Sequence, residues 1–155
     1  MEDDVVARTT SLLDGLRGFG ANYTEFTRRF ANWLGLHSTD AAALVEILYA
    51  EDTGSPLSPA RLGERISLTS GATTNLLNRL ENLGYVVRTR ESADRRKVTL
   101  RSGPDIQGPA REFFGPFSAG LAGLVAKYPA EEIDRIEAFL RDLRSTMDTV
   151  LDEQG

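Results

Sequence analysis

A seam runs through residues 5–33 at spacings of four and three: Val5, Thr9, Leu12, Leu16, Phe19, Tyr23, Phe26, Phe30 and Trp33, with polar residues between. That alternation predicts one long helix with a narrow, coiled-coil-like stripe. A second stripe follows the same rule in Ile133, Ile136, Leu140, Leu143, Met147 and Val150, behind Pro129, which suits the first position of a helix. Stripes this narrow must be covered, either by each other within one chain or by the same stripes of a second copy.

The elements between them are shorter. Ser38 or Thr39 can cap a helix through Tyr49 that turns Ala42, Val45 and Leu48, or their neighbours, inward before "EDTGSP" breaks it. Ser58 as cap and Pro59 as first helical residue open a helix that buries Leu62 and Ile66. After the turn "SLT", Thr69 caps "SGATTNLLNRLENLG", which stops at Gly84. The period then falls from 3.6 to 2. "YVVRTR" and "KVTLR" predict two strands joined by "ESADRR", with Val98 and Leu100 on one face and Lys97, Thr99 and Arg101 on the other. Residues 103–128 read as helical through Phe113, Phe114, Phe117, Leu121, Leu124 and Tyr128, yet Gly-Pro pairs at 103, 108 and 115 predict a late start or a kink.

The fold class is therefore mainly α with a small β-hairpin wing. A winged helix-turn-helix lobe at 38–102 is flanked by helical regions at 1–37 and 103–155, all in one domain of 155 residues.

Charge sharpens this picture. The chain is acidic overall, with a formal net charge of −5, but residues 58–101 carry +5 while each flank carries −5. Much of the positive charge lies in "RTRESADRRKVTLR", Arg88 to Arg101. Such a local field suits a polyanion met by the centre of the chain alone. The absence of cysteine removes disulfides, thiolate metal sites and cysteine nucleophiles. The opening "MEDDVVARTT" has no apolar core of a signal peptide, and "GLAGLVA" at 120–126 is too short to span a bilayer, so a cytoplasmic protein with no membrane partner is expected.

On the helix after Thr69, Thr73, Leu76, Leu77 and Leu80 share one inward face. Ser70 and Gly71 open the helix, and Thr74, Asn75 and Asn78 point outward with Arg79 beside them. A helix in the major groove reads bases with its N-terminal residues: asparagine can pair bidentately with adenine, threonine can bond or touch a thymine methyl, and Arg79 can hold a phosphate. The hairpin brings Arg88, Arg90, Arg95, Arg96 and Lys97 to an edge that can meet phosphates or a narrow minor groove. Asp94 at its tip needs a cationic partner, and pairing with a neighbouring arginine would aim the loop.

From "SPARLGERIS" through "KVTLRS" the chain resembles the winged-helix core of the MarR family of bacterial transcriptional regulators, including that family's Asp-x-Arg wing signature, here Asp94 and Arg96. "LGLHSTDAAAL" resembles the entry to the second helix of such proteins, and the long terminal helices resemble their dimerisation region. The resemblance implies a homodimer on a pseudo-palindromic operator in double-stranded DNA, commonly a repressor released by a small anionic or phenolic ligand. It implies no cofactor or metal here, since peroxide-sensing relatives need cysteine and one histidine argues against zinc sensing. The recognition helix departs from relatives that carry a basic side chain where this one has Asn75, and Ser70, Gly71 and Ala72 are small, which shifts weight onto phosphate and wing contacts.

A ligand would act where the terminal helices meet the lobe, and Tyr23, Phe26, Phe30, Trp33, His37 and Phe114 are the candidate lining residues, though a core role explains most of them equally. Catalysis is not expected. His37 is the lone histidine, no nucleophile or phosphate-loop motif is present, and Glu131 and Glu132 fall in a first helical turn where the macrodipole alone favours them. The competing reading is a winged helix that binds another protein, for which an apolar wing is expected.

Overall fold

The computed structural model describes residues 1–91, 93 and 97–154. Six helices and one hairpin follow in the order α1 (Glu2–Leu34), α2 (Ser38–Asp52), α3 (Pro59–Arg65), α4 (Ser70–Asn82), β1 (Val86–Thr89), β2 (Thr99–Ser102), α5 (Pro104–Val125) and α6 (Ala130–Gln154). They form two compact units, Met1–Ala110 and Arg111–Gly155, and the division falls inside α5.

In the first unit, the buried side chains of Phe30, Leu44, Ile47, Leu62, Leu76, Leu77, Leu80, Val86, Leu100 and Ile106 make one core. Every element from α1 to the start of α5 contributes to it. Caps start the two central helices as the sequence predicts: Ser58 Oγ accepts from the Arg61 N–H with Pro59 following, and Thr69 Oγ1 accepts from the Ala72 N–H. Gly63 sets the helix-turn-helix spacing, because a β-carbon there would stand 2.9 Å from Thr73 Oγ1. Thr73, buried at that crossing, satisfies its hydroxyl by donating to Thr69 O at 2.8 Å.

The four helices that lie wholly in this unit end in one motif. An N–H just past the helix bonds back over five residues, and the residue before it takes a left-handed conformation: Gly35 (φ 68°), Gly54 (φ 76°), Ser67 (φ 54°) and Gly84 (φ 75°). Three positions use glycine, and Ser67 does not.

The hairpin is antiparallel, with Val86 opposite Ser102 and Arg88 opposite Leu100. Since Val86 and Leu100 are buried, that register turns Arg88 toward the lobe as well. The wing is fastened at its base: Leu100 N–H donates to Leu57 O at 2.8 Å, Gly103 N–H to Tyr85 O at 2.8 Å, and Ser102 N–H to Glu51 Oε2 at 3.0 Å. Gly84 and Gly103 meet so closely that a β-carbon at 103 would stand 2.1 Å from the Gly84 carbonyl oxygen.

Several expectations are corrected. Ser38 is the first residue of α2 rather than its cap, a place taken by His37, and the helix runs on to Asp52. Burial in α2 does fall on Val45 and on the neighbours Ala41, Ala43, Leu44 and Ile47, as expected, with Ala42 and Leu48 half-buried. Ile66 is only half-buried at the end of α3. The second strand starts at Thr99, two residues after Lys97. Pro129 precedes α6 rather than beginning it. No late start occurs in α5, which begins at Pro104 and continues past Pro109 and Pro116. The residue before a proline normally avoids helical geometry because its β-carbon clashes with the ring, and glycine at 108 and 115 removes that obstacle.

Beyond Ala110, the remainder of α5 and all of α6 bury no side chain. Phe117, Leu121, Leu124, Ile136, Phe139, Leu140, Met147 and Val150 are exposed, as are Val5, Leu12 and Phe19 on α1. No helix among the described residues is long and apolar enough to cross a membrane.

Candidate nucleic-acid interface

Helix α4 has the two faces its sequence predicts. Thr73, Leu76, Leu77 and Leu80 are buried, and Ser70, Gly71, Thr74, Asn75, Asn78 and Arg79 are exposed. Ser70 and Thr74 border an open groove of about 970 Å³ with Lys97, Thr99, Ser58 and Arg61. The groove therefore joins the first turn of the recognition helix to the approach of the second strand. Ser58 and Arg61 are not among the site residues that the sequence predicts; their place at the start of a helix preceding the recognition helix is the only sequence signal for them.

The cations are not equally available. Arg79, expected to hold a phosphate, donates to a buried carboxylate, through Nε to Asp40 Oδ2 at 2.9 Å and Nη2 to Asp40 Oδ1 at 2.7 Å. Its side chain stays 53% exposed while that of Asp40 is 5% exposed. This fork-to-carboxylate pair ties the outer face of α4 to the first turn of α2. Arg88, expected at the wing edge, turns back to α4, where Nε donates to Glu81 Oε1 and Nη2 to Asn78 Oδ1 at 3.0 Å.

Arg101 is held likewise. It donates to Glu91 from Nε at 2.9 Å and Nη2 at 2.7 Å, and Thr89 Oγ1 adds a third bond to that carboxylate. The Arg101 guanidinium first, and the Thr89 hydroxyl second, hold the Glu91 carboxyl below its usual range. Arg61 pairs with Glu64, and Arg65 with Glu46, in exposed contacts that cost little to exchange. Arg90 and Lys97 are exposed on the wing. Asp94, Arg95 and Arg96, with the wing signature they carry, lie outside the described residues. The positive balance of residues 58–101 thus overstates the charge offered outward, since several cations are spent on bracing.

Of the candidate ligand residues, Tyr23, Phe26, Phe30, Trp33 and His37 lie in the first unit. Phe30 is fully buried and belongs to the core. Its ring lies 6.4 Å from that of Trp33, which is 46% exposed. Phe26 is half-buried on the same helix. Tyr23 faces α2, and burial first, then the charges of Glu46 and Tyr49, push its phenol above the ordinary value. His37 is exposed at the head of α2, beside a shallow hollow shared with Asp40 and Arg79. Phe114 lies in the second unit, edge-on to Phe113 with ring centres 5.3 Å apart. Among the described residues no cluster of histidine and carboxylates could hold a metal ion.

Comparison with known proteins agrees with this geometry. A family model described as "MarR family" matches residues 34–97, which span α2 to the wing. The chain is 29% identical over 136 residues to the HTH-type transcriptional regulator YcgE of Bacillus subtilis, covering 88% of this chain and 86% of that one. It is 33% identical over 97 residues to the HTH-type transcriptional regulator SarZ of Staphylococcus aureus, covering 61% of this chain and 65% of the relative. Among solved structures, a MarR family protein from Bacillus stearothermophilus is 25% identical with a TM-score of 0.59, covering 96% and 99% of the two chains. A mutant of S. aureus MepR bound to an oligodeoxyribonucleotide shares the fold at 18% identity and a TM-score of 0.52, over 85% and 94% of the two chains.

Proposed function

The chain belongs to the MarR family, and from that premise we propose that it is a homodimeric regulator that binds a pseudo-palindromic operator in double-stranded DNA. Proteins of this family regulate transcription and are not enzymes. The observation that carries the reading is the two-faced α4: a fully buried apolar row fixes the helix in the lobe, and its opposite face presents Ser70, Gly71, Thr74 and Asn75 beside the cationic wing. The first turn of such a helix enters the major groove, where Asn75 and Thr74 meet base edges. Lys97, Arg90, Arg95 and Arg96 act on the backbone or the minor groove, and Arg61 reaches a phosphate by exchanging Glu64 for it. The structure of a MepR mutant with an oligodeoxyribonucleotide supports DNA as the partner.

Dimerisation rests on the exposed stripes. Helix α6 places Ile136, Phe139, Leu140, Met147 and Val150 in solvent and buries nothing within one chain, a cost that a second copy relieves. Regulation follows as repression released by a small phenolic or anionic ligand near Tyr23, Phe26, Trp33 and His37. Such a ligand acts by favouring a spacing of the two lobes that does not fit the operator.

Selection of bound duplexes from a random pool tests the whole reading. An inverted repeat with half-sites about 34–36 Å apart is the expected product. Recovery of no common sequence would favour the protein-binding alternative, against which the cationic wing already argues. Titration of aromatic acids while following Trp33 fluorescence tests the ligand, and a flat response to all of them would count against induction.

A further inference from the structure

Two asparagines share the exposed face of α4, and their surroundings differ. Asn75 makes no side-chain hydrogen bond among the described residues. Asn78 accepts at Oδ1 from Arg88 Nη2, 3.0 Å away, while Arg88 is anchored through Nε to Glu81. A guanidinium carries five donors and no acceptor, so only one orientation of the Asn78 amide is compatible with it: Oδ1 toward Arg88 and the NH2 group away. The arrangement does not depend on a loose side chain, because the β-hairpin register that pairs Arg88 with buried Leu100 delivers the guanidinium to this face. A second donor approaching Oδ1, such as the amino group of adenine, would crowd against that guanidinium. The same contact polarises the amide and strengthens its N–H groups as donors.

We infer that Asn78 meets DNA as a donor only, its amide locked by the Arg88–Glu81 pair onto an acceptor of the duplex, and that adenine selection is left to Asn75. The acceptor is a phosphate oxygen or the N7 of a purine, which adenine and guanine share. This rests on the DNA-binding reading above and adds a division of labour within it.

The test compares the full chain with N78A and N78D by quantitative binding to the selected duplex and by reselection from the random pool, with thermal unfolding as the check on folding. N78A should weaken binding roughly three- to tenfold, the worth of one or two neutral hydrogen bonds. The loss falls evenly on all sequences if the acceptor is a phosphate, and on purines at one position, adenine and guanine alike, if it is N7. N78D turns a carboxylate toward those acceptors and should lose more than N78A. The inference is overturned if N78A binds as well as the parent, if N78A erases a preference for adenine over guanine at one position, or if N78D binds as tightly as N78A. A parent chain that bound no duplex would overturn the DNA-binding reading together with this one; a wrong outcome at Asn78 in a chain that binds overturns this one alone.

Discussion

Ser67 stands where three other helices of the same lobe place glycine. A side chain at φ 54° crowds its own carbonyl, at a cost on the order of 1 kcal/mol, so Ser67→Gly should raise stability by up to about that amount in chemical denaturation. A loss of stability would show that the hydroxyl has a structural role. Gly103→Ala should act in the opposite sense and more strongly, by about 3 kcal/mol or more, because the colliding atom is a backbone oxygen that cannot swing aside. Glu25 gives a pH signature at this scale. Side-chain hydrogen bonds from Arg28, then Arg29, lower its carboxyl from 4.5 to about 2. With the folded value below the unfolded one, the contribution of this cluster is complete above about pH 4.5 and fades as pH falls toward 2. An NMR titration of the Glu25 carboxyl should place its midpoint near the lower figure, and one near 4.5 would mean the cluster does not persist in solution.

Between elements, the ion pair of Asp40 and Arg79 joins α2 to α4. Removing Arg79 strands a buried carboxylate. Arg79→Ala should therefore destabilise the lobe, though by less than the loss of a fully buried pair because half of the guanidinium faces water. Asp40→Ala in the same chain should restore part of the loss, and simple additivity of the two changes would argue against a direct pair. This contact also marks how far sequence reading reaches. The caps at Ser58 and Thr69 and the buried row from Thr73 to Leu80 depend on residues three or four apart, and they are legible. Arg79 and Asp40 are 39 positions apart, and Glu51 and Ser102 are 51 apart, so nothing local distinguishes a bracing arginine from one offered to DNA. Arg88 escapes such a reading because strand register, rather than periodicity, decides that it turns toward α4. The proline-bearing α5 escapes it for another reason: each proline's effect depends on the glycine before it.

For the whole molecule, a single chain leaves much of its apolar surface unsatisfied. Since α6 buries no side chain, Leu140→Asp removes nothing from the lobe's own core but places charge on the stripe assigned to the second copy. Sedimentation should show a dimer for the parent and a monomer for the variant, with operator affinity falling in step. A parent that sediments as a monomer at high concentration would remove the basis for paired half-sites. The wing has a different kind of independence. Both of its feet are bolted to the lobe, by Leu57 at one strand and by the meeting of Gly84 and Gly103 at the other end, and none of the buried core side chains among the described residues falls in the short span between the two strands. Evolution, or an engineer, can thus exchange that short span for one of another length or charge and retune the grip on a chromosome without rebuilding the scaffold beneath it.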